Sequence, residues 1–517
     1  MPKTRTHQTA ATMEADQAAD QTIDGTVTLP SLYADVEILR TAIATESAPL
    51  LDELGGTEAL TPRDQSRLTN LAHYLTLRRH DIRPLQRRLM ACGLSSLGRL
   101  ESRVLPTLDA VLAMLAPHAD ETFPRSNGAN EAAFFQGETF LAEAADGLLG
   151  DVPGRRRCRI MVTLPSEAKD QPDFVLDLVR RGMNIARINC AHDDREAWLA
   201  MAGHVRTAGE RLGVPVRVLM DIAGPKIRTE RVVPEKKAKL QVGDLFRLVA
   251  EGEPSLDDDI VACASVSLPE IVTRLSIGDR VRYDDGKLEG IVEALSRNEA
   301  TIRVNRCKTG GAKLKPEKGL NLPDTALGLS PLTAKDETDL ATVVECADML
   351  GYSFVSRPQD IDLLEEALAK VPPRTTPLGI VAKIEQPEAV RNLPALIAAA
   401  LRHRRPFGVM IARGDLAAEI GFERVAEMQE EILWICEAAS VPVIWATQVL
   451  EDLVKTGLPS RGEMTDAAMA ARAECVMLNK GPAVADAVSL LDHLLSRMDE
   501  HIVKKTPMLR ALKSWQA

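Results

Sequence analysis

From Cys158 onward, short apolar runs alternate with helical segments, and this rhythm limits the possible folds more than any other feature of the chain. Runs with buried-strand character fall at Arg159–Leu164, Ile185–Cys190, Val216–Ile222, Ser353–Ser356, Leu378–Ile384, Phe407–Ala412, Val441–Ala446 and Cys475–Leu478. Helical stretches such as Pro172–Arg181, Asp194–Leu212, Pro358–Lys370, Pro387–Arg402, Ala426–Ala439 and Thr465–Arg472 lie between most of them. A strand buried on both faces reads as a continuous apolar run, and strands joined by helices build parallel sheets. Two α/β architectures satisfy the pattern: a (β/α)8 TIM barrel and a doubly wound open sheet.

One gap breaks the rhythm. Between Arg228 and Leu332 the runs alternate polar and apolar residues, with turns at Gly243-Asp244, Gly278-Asp279 and Asp285-Gly286. That pattern indicates a small β domain inserted after the third strand. In a barrel, an insertion at a strand's carboxyl end hangs over the functional face as a lid.

Upstream, residues 1–28 have no apolar periodicity and read as a disordered tail. From Leu32 to Pro117 the pattern is helical. Thr61-Pro62 is a helix start, Leu68, Leu71 and Leu75 form one face, Gly93 is a stop and Ser95-Ser96 a restart. A second stripe runs Leu97, Leu100, Val104, Leu108, Val111, Leu115, and 119–153 reads as a loose connector. The Arg78, Arg79, Arg87, Arg88 cluster suits either an anionic partner or an ordinary solvated face. The expected division is tail 1–28, helical domain and connector 29–150, first barrel part 151–228, inserted β lid 229–325, and barrel remainder with a C-terminal helix 326–517.

Length and charge bound the partners. The 517 residues exceed one core, and the net charge of −11 argues against general binding to nucleic acid or an anionic membrane. The eight scattered cysteines form no C-x-x-C pair and read as reduced cytoplasmic thiols. No apolar run approaches a membrane span of about 18 residues, and Met1–Gln21 has no signal-peptide h-region.

Charge gathers where the apolar runs end. In I-V-A-K-I-E the run closes on Lys383 and Glu385, and in V-M-I-A-R-G-D-L-A-A-E on Arg413, Asp415 and Glu419. Other strand ends carry Arg187, Asn189 and His192; Asp221, Lys226 and Arg228; Thr447 and Gln448; Asn479 and Lys480. Burying an unpaired ion costs several kcal/mol, so each group is either salt-bridged or functional. Two carboxylates among lysines and arginines suit a divalent metal holding an anionic substrate. The turn Gly414-Asp415-Leu416-Ala417 opens a helix whose free N–H groups can receive a carboxylate.

These residues stand in blocks that resemble the pyruvate kinase family. The blocks are G-M-N-I-A-R-I-N-C-A-H (182–192), D-I-A-G-P-K-I-R-T (221–229), Y-D-D-G (283–286), K-G-L-N-L-P (318–323), A-K-I-E (382–385), A-R-G-D-L-A-A-E-I (412–420), P-V-I-W-A-T-Q-V-L-E (442–451) and S-R-G-E-M-T-D (460–466). The resemblance covers about Cys158 to Leu490 and implies a TIM barrel with an inserted β-barrel lid. It implies transfer of a phosphoryl group from phosphoenolpyruvate to ADP by a cytoplasmic enzyme, with Mg2+ or Mn2+; a homo-oligomer is compatible with it.

The resemblance also implies roles. Glu385 and Asp415 would bind the metal, Lys383 and Arg187 the phosphoryl group, and Gly414, Asp415 and Thr447 the substrate carboxylate. Thr447 would lie near the carbon to be protonated, and His192, Arg228 and Lys318 would reach the ADP phosphates. Where the family has Asn-Phe-Ser-His, this chain has Asn189-Cys190-Ala191-His192 and lacks a hydroxyl that binds K+. Lys226 stands where K+-independent relatives carry an ammonium, so K+ is expected to be dispensable.

The last barrel block, Asn479-Lys480-Gly481-Pro482-Ala483, departs from the family's Ser-Gly-Glu-Thr-Ala. The helical N-terminal domain is an addition, and the family's C-terminal regulatory domain is not recognisable. Two other readings stay open at this stage: an enolate-handling phosphotransferase with a different substrate or acceptor, and a catalytically weak sensing or scaffolding paralogue.

Overall fold

The computed structural model describes residues 27–122, 130–152, 154–234, 239–257, 259–284, 286–325 and 328–507. The expected tail up to residue 26, most of the Asn-Gly-Ala-Asn stretch and Asp285 lie outside the described residues. Strands β1 (Arg159–Thr163), β2 (Ile185–Asn189) and β3 (Arg217–Asp221) come first. The chain then builds β4 (Thr229–Val233), β5 (Leu245–Val249), β6 (Ile260–Val266), β7 (Arg280–Tyr283), β8 (Leu288–Leu295), β9 (Glu299–Cys307) and β10 (Leu320–Asn321). It returns through β11 (Met349–Tyr352), β12 (Gly379–Ile384), β13 (Phe407–Ala412), β14 (Val443–Ala446) and β15 (Cys475–Leu478).

The first three and last five of these strands are parallel and close into a barrel in the order β1-β15-β14-β13-β12-β11-β3-β2. Pairing of β1 with β15, Arg159 opposite Cys475, closes the ring and settles the choice between barrel and open sheet. Strands β11 to β15 are buried along their whole length, as the apolar runs require. The helices between them start on local signals. Thr333 with Asp336, and Ser460 with Glu463, form capping boxes that satisfy N–H groups with no partner inside the helix.

Strands β4 to β10 form the inserted sheet, in the order β10-β7-β8-β9-β5-β6-β4. The sheet curls until its entering and leaving strands meet, with Arg228 bridged to Gly319 and Thr229 N donating to Lys318 O. Its own core contains Phe246, Leu248, Tyr283, Ile302 and Val304.

Three sequence expectations need correction. The fourth barrel strand is Met349–Tyr352, and Ser353–Ser356 forms the turn beyond it. Phe354 has a φ of 59°, which ends extended backbone at once. Residues 119–153 are not merely a loose connector, because they contain a helix at Gln136–Leu149. Its Leu148 and Leu149 join Met161, Leu219, Val381 and Met410 inside the barrel and seal the end opposite the site. A Cβ on Gly379 or Gly408 would lie 2.4 or 2.5 Å from the Leu148 side chain, so both positions need glycine. The expected restart at Ser95-Ser96 is an irregular segment, and the next helix begins at Val104.

The helices Leu29–Glu53, Pro62–Leu77, Arg83–Ala91 and Val104–Leu115 pack on the outside of the barrel in one continuous core. Thr61 caps the second, as its Thr-Pro start suggests. Arg67 donates to the carbonyls of Ala439 and Ser440, both at 3.0 Å, and Asn70 to that of Ala438 at 2.8 Å. Arg78 and Arg88 are taken up internally, Arg78 over the Trp434 ring and Arg88 on Asp35 and Ser31. Among the described residues no helix is long and apolar enough to cross a membrane.

Candidate active site

The carboxyl end of β12 delivers Lys383 and Glu385 into a closed ring of groups. Lys383 Nζ lies 2.7 Å from Glu385 Oε1 and 3.2 Å from Asp221 Oδ1, and donates to Ser353 Oγ at 2.7 Å. Three acceptors thus meet the three N–H bonds of an ammonium. Burial pushes the Lys383 ammonium toward neutrality, but Asp221 and Glu385 outweigh it and hold its pKa above the usual value. The group is therefore a fixed positive charge.

Asp221, at the end of β3, organises the cations. Arg187 Nε donates to Asp221 Oδ2 at 3.0 Å, Arg187 Nη2 reaches the same oxygen, and Arg187 Nη1 donates to Thr163 Oγ1 at 3.0 Å. Burial raises the Asp221 pKa, yet Lys383 and Arg187 bring it below the ordinary carboxylate value. Gly351 leaves room for this carboxylate, since a Cβ there would sit 3.0 Å from Oδ1.

Glu385 accepts from Phe354 N at 2.8 Å through its second oxygen. Burial pushes the Glu385 carboxyl up, Lys383 opposes this, and nearby Asp415 adds to it, so its pKa stays above the usual value.

β13 ends where the helix Arg413–Ile420 begins. Arg413 turns away from the cleft and braces the scaffold. It donates to the carbonyls of Ala446 at 3.1 Å and Thr447 at 2.6 Å, pairs with Asp466 at 2.5 Å and lies over the Trp445 ring. Asp415 receives Lys226 Nζ at 2.8 Å. Burial pushes the Asp415 carboxyl up, but Lys226 brings it below its usual value.

Thr447 stands just beyond β14 at φ 62°, followed by Gln448 at 56° and Leu450 at 49°. Left-handed backbone at a β-branched residue is strained and persists only where the surroundings enforce it. Gly414 N donates to Thr447 Oγ1 at 2.8 Å, which joins the two residues expected at a carboxylate subsite.

His192 is exposed, with Lys480 and Arg228 nearby. Partial desolvation first, and then those two cations, lower its pKa, so the ring is neutral at pH 7. Lys318 is carried by the inserted sheet, its Nζ 3.3 Å from Asp284 Oδ1, and its backbone pairs with Thr229, next to Arg228. Lys480 joins this cationic flank from the altered loop after β15. That loop is fixed by Gly481, where a Cβ would lie 2.5 Å from Val454.

Between sheet and barrel lies a cavity of about 430 Å³ lined in part by Lys226, Asn321, Phe354, Arg391, Asp415 and Glu419. Glu385 and Asp415 offer only oxygen donors, which suits a hard divalent ion. Among the described residues no group of three or more His, Cys, Asp or Glu side chains could hold a metal. Two protein carboxylates therefore fit Mg2+ only with substrate and water completing the shell.

Sequence reasoning gave no roles to Thr163, Ser353, Phe354 and Asp466. The signal for Ser353 and Phe354 was the apolar run Met349–Tyr352 just before them, which places both at a strand's carboxyl end.

A family model described as "Pyruvate kinase, barrel domain" matches residues 155–486. A pyruvate kinase of Methylorubrum extorquens is 33% identical over 334 residues, covering 64% of this chain and 65% of that relative. A pyruvate kinase of Mycobacterium tuberculosis is 30% identical over 360 residues, covering 68% of this chain and 72% of that relative. Among solved structures, a pyruvate kinase from Cryptosporidium parvum superposes with a TM-score of 0.60 at 26% identity, covering 69% of this chain and 73% of that one.

Proposed function

Because this chain belongs to the pyruvate kinase family, we propose that it transfers the phosphoryl group of phosphoenolpyruvate to ADP, giving pyruvate and ATP, with Mg2+ or Mn2+ and without K+. The observation that carries this reading is the Lys383 ammonium, held charged among Asp221, Glu385 and Ser353, with Arg187 on the same carboxylate. Phosphoryl transfer needs positioning and charge neutralisation more than covalent help from the protein.

The charges are suited to the task. Lys383, Arg187 and Lys226 are paired with Asp221, Glu385 and Asp415, so each buried carboxylate has a basic partner. A divalent ion held by Glu385 and Asp415 would offset two of the three negative charges of phosphoenolpyruvate.

The chain's own groups do the remaining work. Arg187 and Lys383, positioned by Asp221, stabilise the phosphoryl charge during transfer, Lys383 giving up the Ser353 hydroxyl to take a phosphoryl oxygen. The N–H groups in the first turn of the helix Arg413–Ile420 receive the substrate carboxylate, which takes over the Gly414 N–H from the Thr447 hydroxyl. The Thr447 hydroxyl shares that subsite and lies at the carbon that takes a proton when the enolate becomes pyruvate. His192, Arg228, Lys318 and Lys480 line the flank where the acceptor phosphates enter. Lys226 supplies the fixed charge that K+ supplies elsewhere in the family. The inserted sheet acts as a lid that excludes water, which would otherwise compete as acceptor.

The substrates are small molecules, and the eight unbridged cysteines suit a cytoplasmic setting. Pyruvate formation measured by coupling to NADH oxidation, with phosphoenolpyruvate, ADP and Mg2+, tests the reading. Turnover that requires all three supports it, and no turnover at high protein concentration overturns it.

A further inference from the structure

The inserted sheet is fastened to one short helix, Arg413–Ile420. Three bonds from different parts of the insertion converge there. Lys226, on the segment leading into the sheet, reaches Asp415 at 2.8 Å. Arg282 on β7 donates through Nη1 to the Ala418 carbonyl at 2.6 Å and is itself steadied by Glu289 at 2.5 Å. Asn321 on β10 donates through Nδ2 to Glu419 Oε1 at 2.8 Å. The other end of the helix is tied to the barrel, where Arg413 holds the carbonyls of Ala446 and Thr447.

The helix is thus clamped at one end by the barrel and at the other by the insertion. Between the clamps lie Gly414, whose N–H meets Thr447, and Asp415. We propose that Asn321, Arg282 and Glu419 are positioning residues: they latch the lid onto the last turn of this helix and thereby fix the orientation of Gly414 and Asp415 in its first turn. The proposal rests on the reading that Gly414 and Asp415 receive substrate. None of the three latch residues needs to touch substrate.

The Asn321–Glu419 bond can be reversed, and this supplies the test. Asn321→Asp sets a carboxylate against Glu419 and removes the donor, so the latch should open. Adding Glu419→Gln restores a bond of opposite polarity, the glutamine amide donating to the new aspartate. Two readouts are taken on the full chain: kcat/KM for phosphoenolpyruvate, and hydrogen–deuterium exchange of the segments containing 280–283 and 413–420. N321D should lower kcat/KM at least about tenfold, the cost of losing a hydrogen bond to a charged acceptor. It should also speed exchange in both segments together. N321D/E419Q should recover most of both effects, whereas a side chain that matters only for folding would give no such rescue.

Asn321→Ala, which removes the donor without repulsion, should fall between wild type and N321D and serves if N321D does not fold. Unchanged exchange in N321D and N321A, or a double variant no better than N321D, overturns the latch. The exchange readout does not depend on turnover, so loss of the latch and failure of the proposed chemistry give different results.

Discussion

Lys226 places its ammonium 2.8 Å from Oδ1 of Asp415, joining the segment that leads into the inserted sheet to the first turn of the helix Arg413–Ile420. The lysine is partly buried, and it is the main charge that holds its partner carboxylate below its usual pKa. In the proposed mechanism this lysine takes the place of a cation recruited from solvent.

The rate should accordingly be insensitive to K+. Replacing K+ with a large organic cation at constant ionic strength should change kcat less than about twofold, because only general screening is shared by the two salts. Lys226→Gln should lower the K+-free rate at least about tenfold, the loss expected for one missing charge contact in the site. Strong K+ activation of the wild-type protein would contradict the assignment of Lys226.

Lys383 should be indispensable to the chemistry. Lys383→Met removes the charge while keeping most of the bulk, and kcat should fall by about 10²–10³ or more, as for other preorganised electrostatic groups. It also leaves Asp221 and Glu385 buried with fewer counter-charges, so the protein should lose about 3 kcal/mol of stability. Steady-state kinetics and chemical denaturation measure the two effects separately.

The sealed end of the barrel should govern stability and leave the chemistry alone. Leu148→Ala opens a cavity among Met161, Leu219, Val381 and Met410 and should cost about 3 kcal/mol. Gly379→Ala drives a methyl into Leu148 and should also destabilise. The double variant should cost less than the sum of the two, because the smaller residue 148 makes room for the methyl. Denaturation midpoints test this, with KM values expected to stay near wild type.

Stability should also depend on pH through Glu437, on the helix Phe422–Ala438, which faces Glu101, Glu474, Lys504 and Lys505. Burial, opposed by Lys504 and supported by Glu101 and Glu474, pushes its carboxyl up to about 7 from 4.5. The folded chain thus keeps a proton that the unfolded chain has released. This group's contribution is greatest below about pH 4.5 and declines as pH rises toward about 7. Glu437→Gln should match wild type near pH 5 and exceed it in thermal stability at pH 8.

The site was legible where its signals are local. Lys383, Glu385 and Asp415 stand out because each ends an apolar run, a pattern contained in a few residues. Their partners were harder to see, because the contacts of Lys383 with Asp221 and Ser353 span 162 and 30 positions and exist only once the ring closes. β11 was misplaced because Gly351 weakens the true run, whereas Ser353–Ser356 alternates like a strand until Phe354 turns left-handed. The helix Gln136–Leu149 was read as a connector because Gly137 and Gly147 punctuate it, although Leu141, Ala145, Leu148 and Leu149 form its stripe. Gly137 is there for packing, since a Cβ would meet the Ser102 carbonyl at 2.2 Å. Barrel closure itself has no local signal: eight strands with intervening helices suggested a barrel, but an open sheet stayed the alternative from pattern alone until β1 met β15.

The most direct test of the central claim is to follow phosphorus itself. In a 31P NMR time course with phosphoenolpyruvate, ADP and Mg2+, the phosphoenolpyruvate signal should decay while the γ-phosphate signal of ATP grows by an equal amount, and Lys383→Met should abolish both changes. Decay into inorganic phosphate, growth of a different phosphorylated product, or no change with the wild-type protein would contradict the account.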